Sequence, residues 1–460
     1  MEIPVRNKSN GKENTKEAKL AWWQLSLIGV GSIIGTGYFL GSGIGILKTG
    51  PSIIFSFILA ALGTYIVSNT LSKMSAQNPQ KGSFRSYAKL AYGRWAGFSS
   101  GWVYWFSEML ISGSQLTALS LLSRFWFPNV PLWIFATGYA ILGITVVLIG
   151  TKGFERIENV FAVIKVAAIL MFICLAIAIL FGFFGGSRTD FLVHNSMKDF
   201  LPNGITGFWS SLIFGFYAFS GIEILGILST RLKAKEDIQK SSNVMLIILT
   251  IIYLISVFLA TSLVVIDKFN TEESPFIIAL DKFNLTFFPH VFIGGIIIAG
   301  FSTMAASLFA VTSMLVTMSE DGDAPKFFSK KGKLKVPPYA LALTISGMVI
   351  SIILSRIMPN SVYEYITTAA GLMLLYNWVF ILISFPKLIK ATGFDHVKRI
   401  IGMILILLAV SGTLLHDSSR PGFFVSIGFL LLILTVVLIM HFGKSKKKKK
   451  EKNIFPRGIY

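Results

Sequence analysis

Twelve apolar stretches follow one another along the chain, near residues 21–47, 51–72, 95–123, 131–150, 157–184, 205–229, 243–266, 288–318, 338–357, 362–385, 398–416 and 422–442. About 20 apolar residues carry a helix across a bilayer. Each stretch is therefore long enough to cross, and the longer ones must tilt or break. The segments between them are too short to hold an independent domain. Of 460 residues, 53% are hydrophobic and only 14% are charged, against about 25% charged in a soluble domain. That balance excludes a soluble globular enzyme, a disordered chain and a disulfide scaffold. The fold class expected is an all-α polytopic membrane protein with twelve transmembrane helices.

The charges orient the helices. The chain carries 42 Lys and Arg against 22 Asp and Glu, a formal net charge of +20. In a soluble protein this excess would suggest nucleic acid as a partner. Here it sits in loops and tails, so it reports topology, and no nucleic-acid partner is expected. With a cytoplasmic N-terminus, segments 1–20, 73–94, 151–156, 230–242, 319–337, 386–399 and 443–460 lie inside and hold 33 of the basic residues. The outer segments hold 8, and Lys165 alone lies within a helix. Both termini are then cytoplasmic. Residues 1–20 form a polar tail without the design of a cleaved signal, so the first helix is expected to be retained. The tail at 443–460 is lysine-rich; it is either a solvated tail or a contact for anionic membrane lipid. Cys174 is the sole cysteine, which removes intramolecular disulfides and cysteine-based metal sites. The histidines lack metal-ligand spacing, and no cofactor is expected.

The run from Gly29 to Gly43 places glycine at 29, 31, 35, 37, 41 and 43. Glycine costs about 1 kcal/mol at each helix-interior position. Close helix packing through small residues is one reason to keep six of them. An unwound mid-membrane segment is the other, and its free amides would bind an anion. The sixth stretch has a matching interruption, Phe214-Gly-Phe-Tyr-Ala-Phe-Ser-Gly-Ile-Glu-Ile-Leu-Gly226. The two lie five helices apart and run in opposite directions, as an inverted five-helix repeat requires. This gives a first repeat at 21–184, a second at 205–385 and two further helices at 398–442.

These residues resemble the amino acid permeases of the amino acid–polyamine–organocation superfamily, in its bacterial amino acid transporter branch. Besides the glycine motif, Asn78 to Ala88, Gly97 to Trp105, Phe154 to Glu158 with Ile164-Lys165-Val166, Ser274-Pro275-Phe276 and Asp321 to Lys326 carry the likeness across nearly the whole chain. The resemblance implies a leucine-transporter-like fold in the plasma membrane of a bacterium. It implies a secondary active transporter importing an L-amino acid, with a proton as coupling partner; an exchanger or a nutrient-sensing receptor on the same fold is the alternative. In the family the substrate carboxylate meets the first-helix break, here Ser32, Ile33, Gly35, Thr36 and Gly37. Its ammonium meets the sixth-helix break, here Phe216, Ala218, Phe219 and Gly221. At the cytoplasmic face the chain departs from the family. Ser72-Lys73-Met74 stands where Gly-Glu-Met is usual, so the inner gate is expected to use other pairs.

Charge within the membrane costs about 2.5–3.5 kcal/mol on insertion scales and marks functional candidates. Glu108, Lys165 and Glu223 qualify. In the resemblance, the Lys165 position replaces a sodium site and suits a residue that loads and releases a proton; the alternative is a lysine snorkelling to the interface. Glu223 is expected to gate, to shuttle a proton or to contact a cationic side chain; the alternative is a carboxyl bonded to the frayed backbone. Glu108 would face the cavity or pair with Lys165; the alternative is an interhelical hydrogen bond. Tyr104 and Phe219 join them as aromatic gating candidates. No nucleotide loop, nucleophile motif or paired ligand set points to an enzyme.

The topology has a direct check. In a Cys174→Ala background, cysteines placed at Lys331 and Lys447 should react with impermeant reagents only from the inner face. Labelling of either from outside would overturn the orientation.

Overall fold

The computed structural model describes residues 20–454 apart from 81, 150, 184–191, 193–195, 284, 286, 333, 335 and 360, with the side chains of 151–157, 159, 282 and 443–454 also left aside. The expectations for the N-terminal tail and for lipid contacts of the basic C-terminal tail therefore fall outside the described residues. Among the described residues no strand occurs, and helices follow in close succession. They begin with α1 (Trp22–Ile33), α2 (Thr36–Phe39), α3 (Gly41–Thr49), α4 (Ile53–Gln77), α5 (Ser83–Tyr92), α6 (Arg94–Ser123), α7 (Leu132–Ile149) and α8 (Thr151–Leu180). After the short α9 (Met197–Phe200) come α10 (Gly204–Ala218), α11 (Glu223–Leu228), α12 (Asp237–Leu263), α13 (Pro275–Leu280) and α14 (Phe288–Glu320). The chain closes with α15 (Pro338–Ile357), α16 (Val362–Leu388), α17 (Gly393–Gly412) and α18 (Arg420–Ile454).

Among the described residues, 9 helical segments are long and apolar enough to cross a membrane. Twelve stretches are expected from the sequence, and the difference has physical causes. The first stretch is broken, and its 12-residue α1 is too short to count alone. Its second half runs with α4 as one segment, Thr36–Gln77. Helix α6 carries buried Ser99, Ser100, Ser107, Glu108, Ser112, Ser114, Gln115, Thr117, Ser120 and Ser123. It is enclosed by α14, α16, α5 and α7 rather than by lipid. Helix α17 opens with Asp395, Lys398 and Arg399. By contrast, the segment Arg420–Phe442 in α18 keeps only 11% of its most apolar window buried, as suits a helix facing hydrocarbon.

Hydroxyl pairs join the inner helices. Ser56 Oγ and Ser211 Oγ lie 2.7 Å apart between α4 and α10, and Ser68 Oγ and Ser242 Oγ lie 2.6 Å apart between α4 and α12. Ser26 Oγ donates to the Ser241 carbonyl at 3.0 Å. Such bonds contribute about 0.6 kcal/mol each on average, so shape and close approach do most of the holding. The rings of Tyr38 and Tyr253 stack with centroids 3.8 Å apart, while Phe39, Phe57, Phe276 and Phe292 pack around them.

The end of the bundle expected inside is closed by charge and by main chain. Buried Arg85 on α5 reaches Asp321 at 2.6 Å and Asp323 at 2.5 Å beyond α14, and Arg94 Nε reaches Asp323 at 2.9 Å. Lys73 pairs with Asp395 at 2.5 Å, so the departure at Lys73 has its acid on α17. Desolvation pulls the Asp395 carboxyl up, but hydrogen bonds from Lys73 and Thr392 outweigh it and hold it at about 2. Its contribution is thus present above the usual carboxylate range and is lost only as pH falls through about 2. Beside them Leu20 and Leu232 form a parallel bridge. Leu20 N–H donates to the Arg231 carbonyl at 2.8 Å and Lys233 N–H to the Leu20 carbonyl at 2.9 Å. At the opposite end Lys48, 4% exposed, meets Glu364 at 2.8 Å and Ser418 Oγ at 2.8 Å.

Removing one partner of a buried pair costs about 3–5 kcal/mol, because the other charge is stranded. Asp323→Ala should therefore lower unfolding stability in detergent by about that amount, since it leaves buried Arg85 with only the half-exposed Asp321. Lys73→Ala, at a partly exposed pair, should cost about 1 kcal/mol or less. Equal losses would contradict this ranking.

Candidate functional site

Helix α1 ends because Gly35 is extended, at φ −155° and ψ −171°. Ile34 N–H still donates to the Val30 carbonyl at 3.2 Å, and the next carbonyl along, that of Gly31, loses its helical donor. Lys165 Nζ takes it at 2.9 Å. A cation at a helix C-terminus also meets the negative end of the dipole. Gly31 allows this approach, since α1 passes α8 so closely there that a Cβ would collide with Ala162. The glycines therefore serve close packing as well as the break.

Lys165 is fully buried, and α8 begins at Thr151, so the lysine lies about four turns in. It does not snorkel. Its carboxylate partner is Glu158, two turns earlier on the same face, at 3.3 Å from Oε1. Glu158 Oε2 accepts from Ser302 Oγ on α14, and Lys165 lies 3.5 Å from Thr303 Oγ1. The pairing with Glu108 considered from the sequence is not made. Glu158 was quoted there only within a motif; its spacing of seven from Lys165 is the signal that identifies it.

The amides past the break open toward α6 and α14. Gln115 Oε1 accepts from Thr36 N–H at 3.3 Å and from the Thr36 hydroxyl. Among the described residues, the Gly35 and Gly37 amides donate to no backbone carbonyl. Gly35 sits against Thr303 and Gln115, and Gly37 against the Tyr217 ring. Ser32 Oγ turns back to the Ile28 carbonyl at 2.8 Å. Tyr363 Oη from α16 donates to the Thr36 carbonyl at 2.9 Å.

The second interruption lies between α10 and α11, over Phe219 to Ile222. Gly221 has φ +101°, a conformation that glycine adopts without steric cost. A Cβ there would stand 3.4 Å from Ile33 Cγ1 and 3.9 Å from the Ser32 carbonyl. The two breaks thus face each other. The Ala218 carbonyl accepts from Tyr253 Oη at 3.1 Å, and Phe216 and Gly221 carbonyls accept from Phe219 and Ile224 amides at 3.1 Å each. The Phe219 ring is buried between Tyr253 and Phe57.

Glu223 opens α11. Its Oε1 accepts from Trp378 Nε1 of α16, and the side chain is buried. Glu108 is buried on α6 beside Tyr104 and Ser307. The Tyr104 ring packs on Phe84, centroids 4.8 Å apart. Gln115, Glu158, Ser302, Thr303, Tyr363 and Trp378 complete the surroundings of the breaks and were not singled out as site residues by sequence. Among the described residues no His, Cys, Asp and Glu group has the composition of a metal site.

Comparison with known proteins gives the chain's family. The family model described as amino acid permease matches residues 24–454. The chain is 54% identical over 448 residues to the uncharacterized transporter YcgH of Bacillus subtilis, covering 97% of this chain and 100% of that one. It is 34% identical over 373 residues to the aromatic amino acid transport protein AroP of Corynebacterium glutamicum, covering 80% of each. A probable threonine/serine transporter, YbxG of Bacillus subtilis, is 27% identical over 91% of this chain and 94% of its own length.

A side chain at Gly35 would stand 2.8 Å from Thr303 Oγ1 at its first atom. Gly35→Leu should therefore insert and fold yet give no thermal shift with any amino acid. Normal binding by that variant would remove the break as a site. Gly221→Ala should cost about 1–3 kcal/mol of stability through backbone strain.

Proposed function

Because the chain belongs to the amino acid permease family, we propose that it is a secondary active transporter that imports an L-amino acid by proton symport through alternating access. Its family membership makes it a transporter rather than an enzyme, and its relatives and apolar helices point to a multi-pass protein of the plasma membrane. The proposed arrangement has twelve helices with both ends inside: two inverted repeats over 21–184 and 205–385, then 398–442.

The observation that carries this reading is the meeting of two interrupted helices at Gly35 and Gly221. A zwitterion needs a donor set for its carboxylate and an acceptor set for its ammonium. The Gly35 and Gly37 amides supply the first, with Ser32, Ile33 and Thr36 around them. The carbonyls of Phe216, Ala218, Phe219 and Gly221 supply the second, with rearrangement at Tyr253 and Phe219. This set reads what all amino acids share, so it supports the class rather than one member. The name of the AroP relative makes phenylalanine, tyrosine and tryptophan the first to test.

Lys165 is proposed as the coupling residue. It bonds directly to the carbonyl that the first break frees, so its charge bears on the position of α1. Loss of a proton from Lys165 would weaken that bond and loosen α1 from α8. Glu223, Glu108 and Tyr104 are proposed to gate the path beside the second break.

Uptake into proteoliposomes in sodium-free buffer with an imposed pH gradient tests the mechanism. The parent should accumulate labelled amino acid. Lys165→Ala and Lys165→Gln should lose accumulation and keep exchange. Full accumulation by the alanine variant would remove Lys165 from the mechanism, and a strict sodium requirement in the parent would contradict the coupling ion.

A further inference from the structure

The coupling reading leaves one step open: how a proton on a fully buried lysine reaches water. Lys165 is 0% exposed and is enclosed by the Gly31 carbonyl, Thr303 and Glu158. The Glu158 side chain, two turns nearer the start of α8, is 14% exposed. That start lies at the end of the bundle expected inside. Ser302 Oγ holds Oε2, which leaves Oε1 directed at the ammonium. The carboxylate therefore touches the lysine on one side and reaches the accessible side on the other.

We propose that Glu158 is the proton relay between Lys165 and the inner solution. This rests on the reading of Lys165 as the coupling residue. The transfer runs in two steps. One N–H bond of the Lys165 ammonium breaks and an O–H bond forms at Glu158 Oε1, leaving a neutral amine beside a neutral carboxylic acid. The O–H bond then breaks toward water, leaving a neutral amine beside a carboxylate, with one proton released inside. A desolvated site favours the first step because a neutral pair costs less there than an ion pair. The two groups are in direct contact, and the accessible member sets where the proton leaves.

The surroundings fit a relay. Among the described residues, Glu158 is the acid that forms an ion pair with Lys165, at 3.3 Å. Helices α1 and α14 bring a carbonyl and two hydroxyls to the pair, with no charge. On its own helix, Glu155 and Arg156 precede Glu158 within one turn. Ser302 fixes the rotamer of the acid, as a relay needs and a solvated surface carboxylate does not.

The experiment compares Glu158→Gln, Glu158→Asp and Lys165→Ala in proteoliposomes. It reads gradient-driven accumulation, substrate exchange and the dependence of efflux on inner pH. A gradient of about one pH unit can hold about a tenfold substrate ratio for one proton. Gln keeps an acceptor for Lys165 and the contact to Ser302, so the variant should fold, bind and exchange. It should lose the accumulated ratio and the dependence on inner pH, and Asp should restore part of both. If Glu158→Gln accumulates as the parent does while Lys165→Ala does not, the relay is overturned and the coupling reading stands. Full accumulation by both Glu158→Gln and Lys165→Ala overturns the coupling reading and the relay with it. Loss of exchange in both the Gln and Asp variants makes Glu158 a structural support and overturns the relay.

Discussion

The bond from Lys165 to the Gly31 carbonyl governs the arrangement around it. Within hydrocarbon a freed backbone carbonyl has no water to turn to, and each such group costs several kcal/mol. A broken helix is tolerated only where protein supplies the missing partner. Here the partner is a cation, which then needs its own counter-charge. Glu158 provides that, and Ser302 anchors Glu158 to α14. One extended residue just past the end of α1 thus recruits α8 and α14 into a single polar chain.

That chain lies between two charged closures. Arg85, Arg94, Asp321 and Asp323 close one end, and Lys48, Glu364 and Ser418 the other. Both are built from helix ends and loops, and both join elements distant in sequence. Burial of Arg85, Asp323 and Lys48 makes their pairs expensive to break singly. The aromatic cluster around Tyr38 and Tyr253 holds α2 between them.

Much of the candidate site is legible as punctuation. Glycines at 29–43 and 215–226 mark both interruptions, and an ionisable residue inside an apolar run marks Lys165, Glu108 and Glu223. What escaped the sequence has physical reasons. Glu158 sat at the edge of a stretch, because the helix begins at Thr151, earlier than hydropathy suggests. Ser302 and Thr303 belong to a hydroxyl-rich background in which pairing depends on tertiary contact. Trp378 and Tyr363 look like ordinary core aromatics until the fold aims them at Glu223 and Thr36. Helix α6 is polar enough to fall short as a span, since protein rather than lipid surrounds it. The acid paired with Lys73 lies on α17, more than three hundred residues away.

The Leu20–Leu232 bridge differs in kind from these side-chain contacts. Its donors and acceptors are main-chain groups at Leu20, Arg231 and Lys233. Almost any residue can occupy those positions and preserve it; only proline at 20 or 233, which lacks the amide, would remove a bond. Mutational drift can therefore erase every recognisable residue at this junction while the junction persists. Two homologues compared letter by letter would look unrelated there and still fasten the start of α1 to the segment after α11 in the same register.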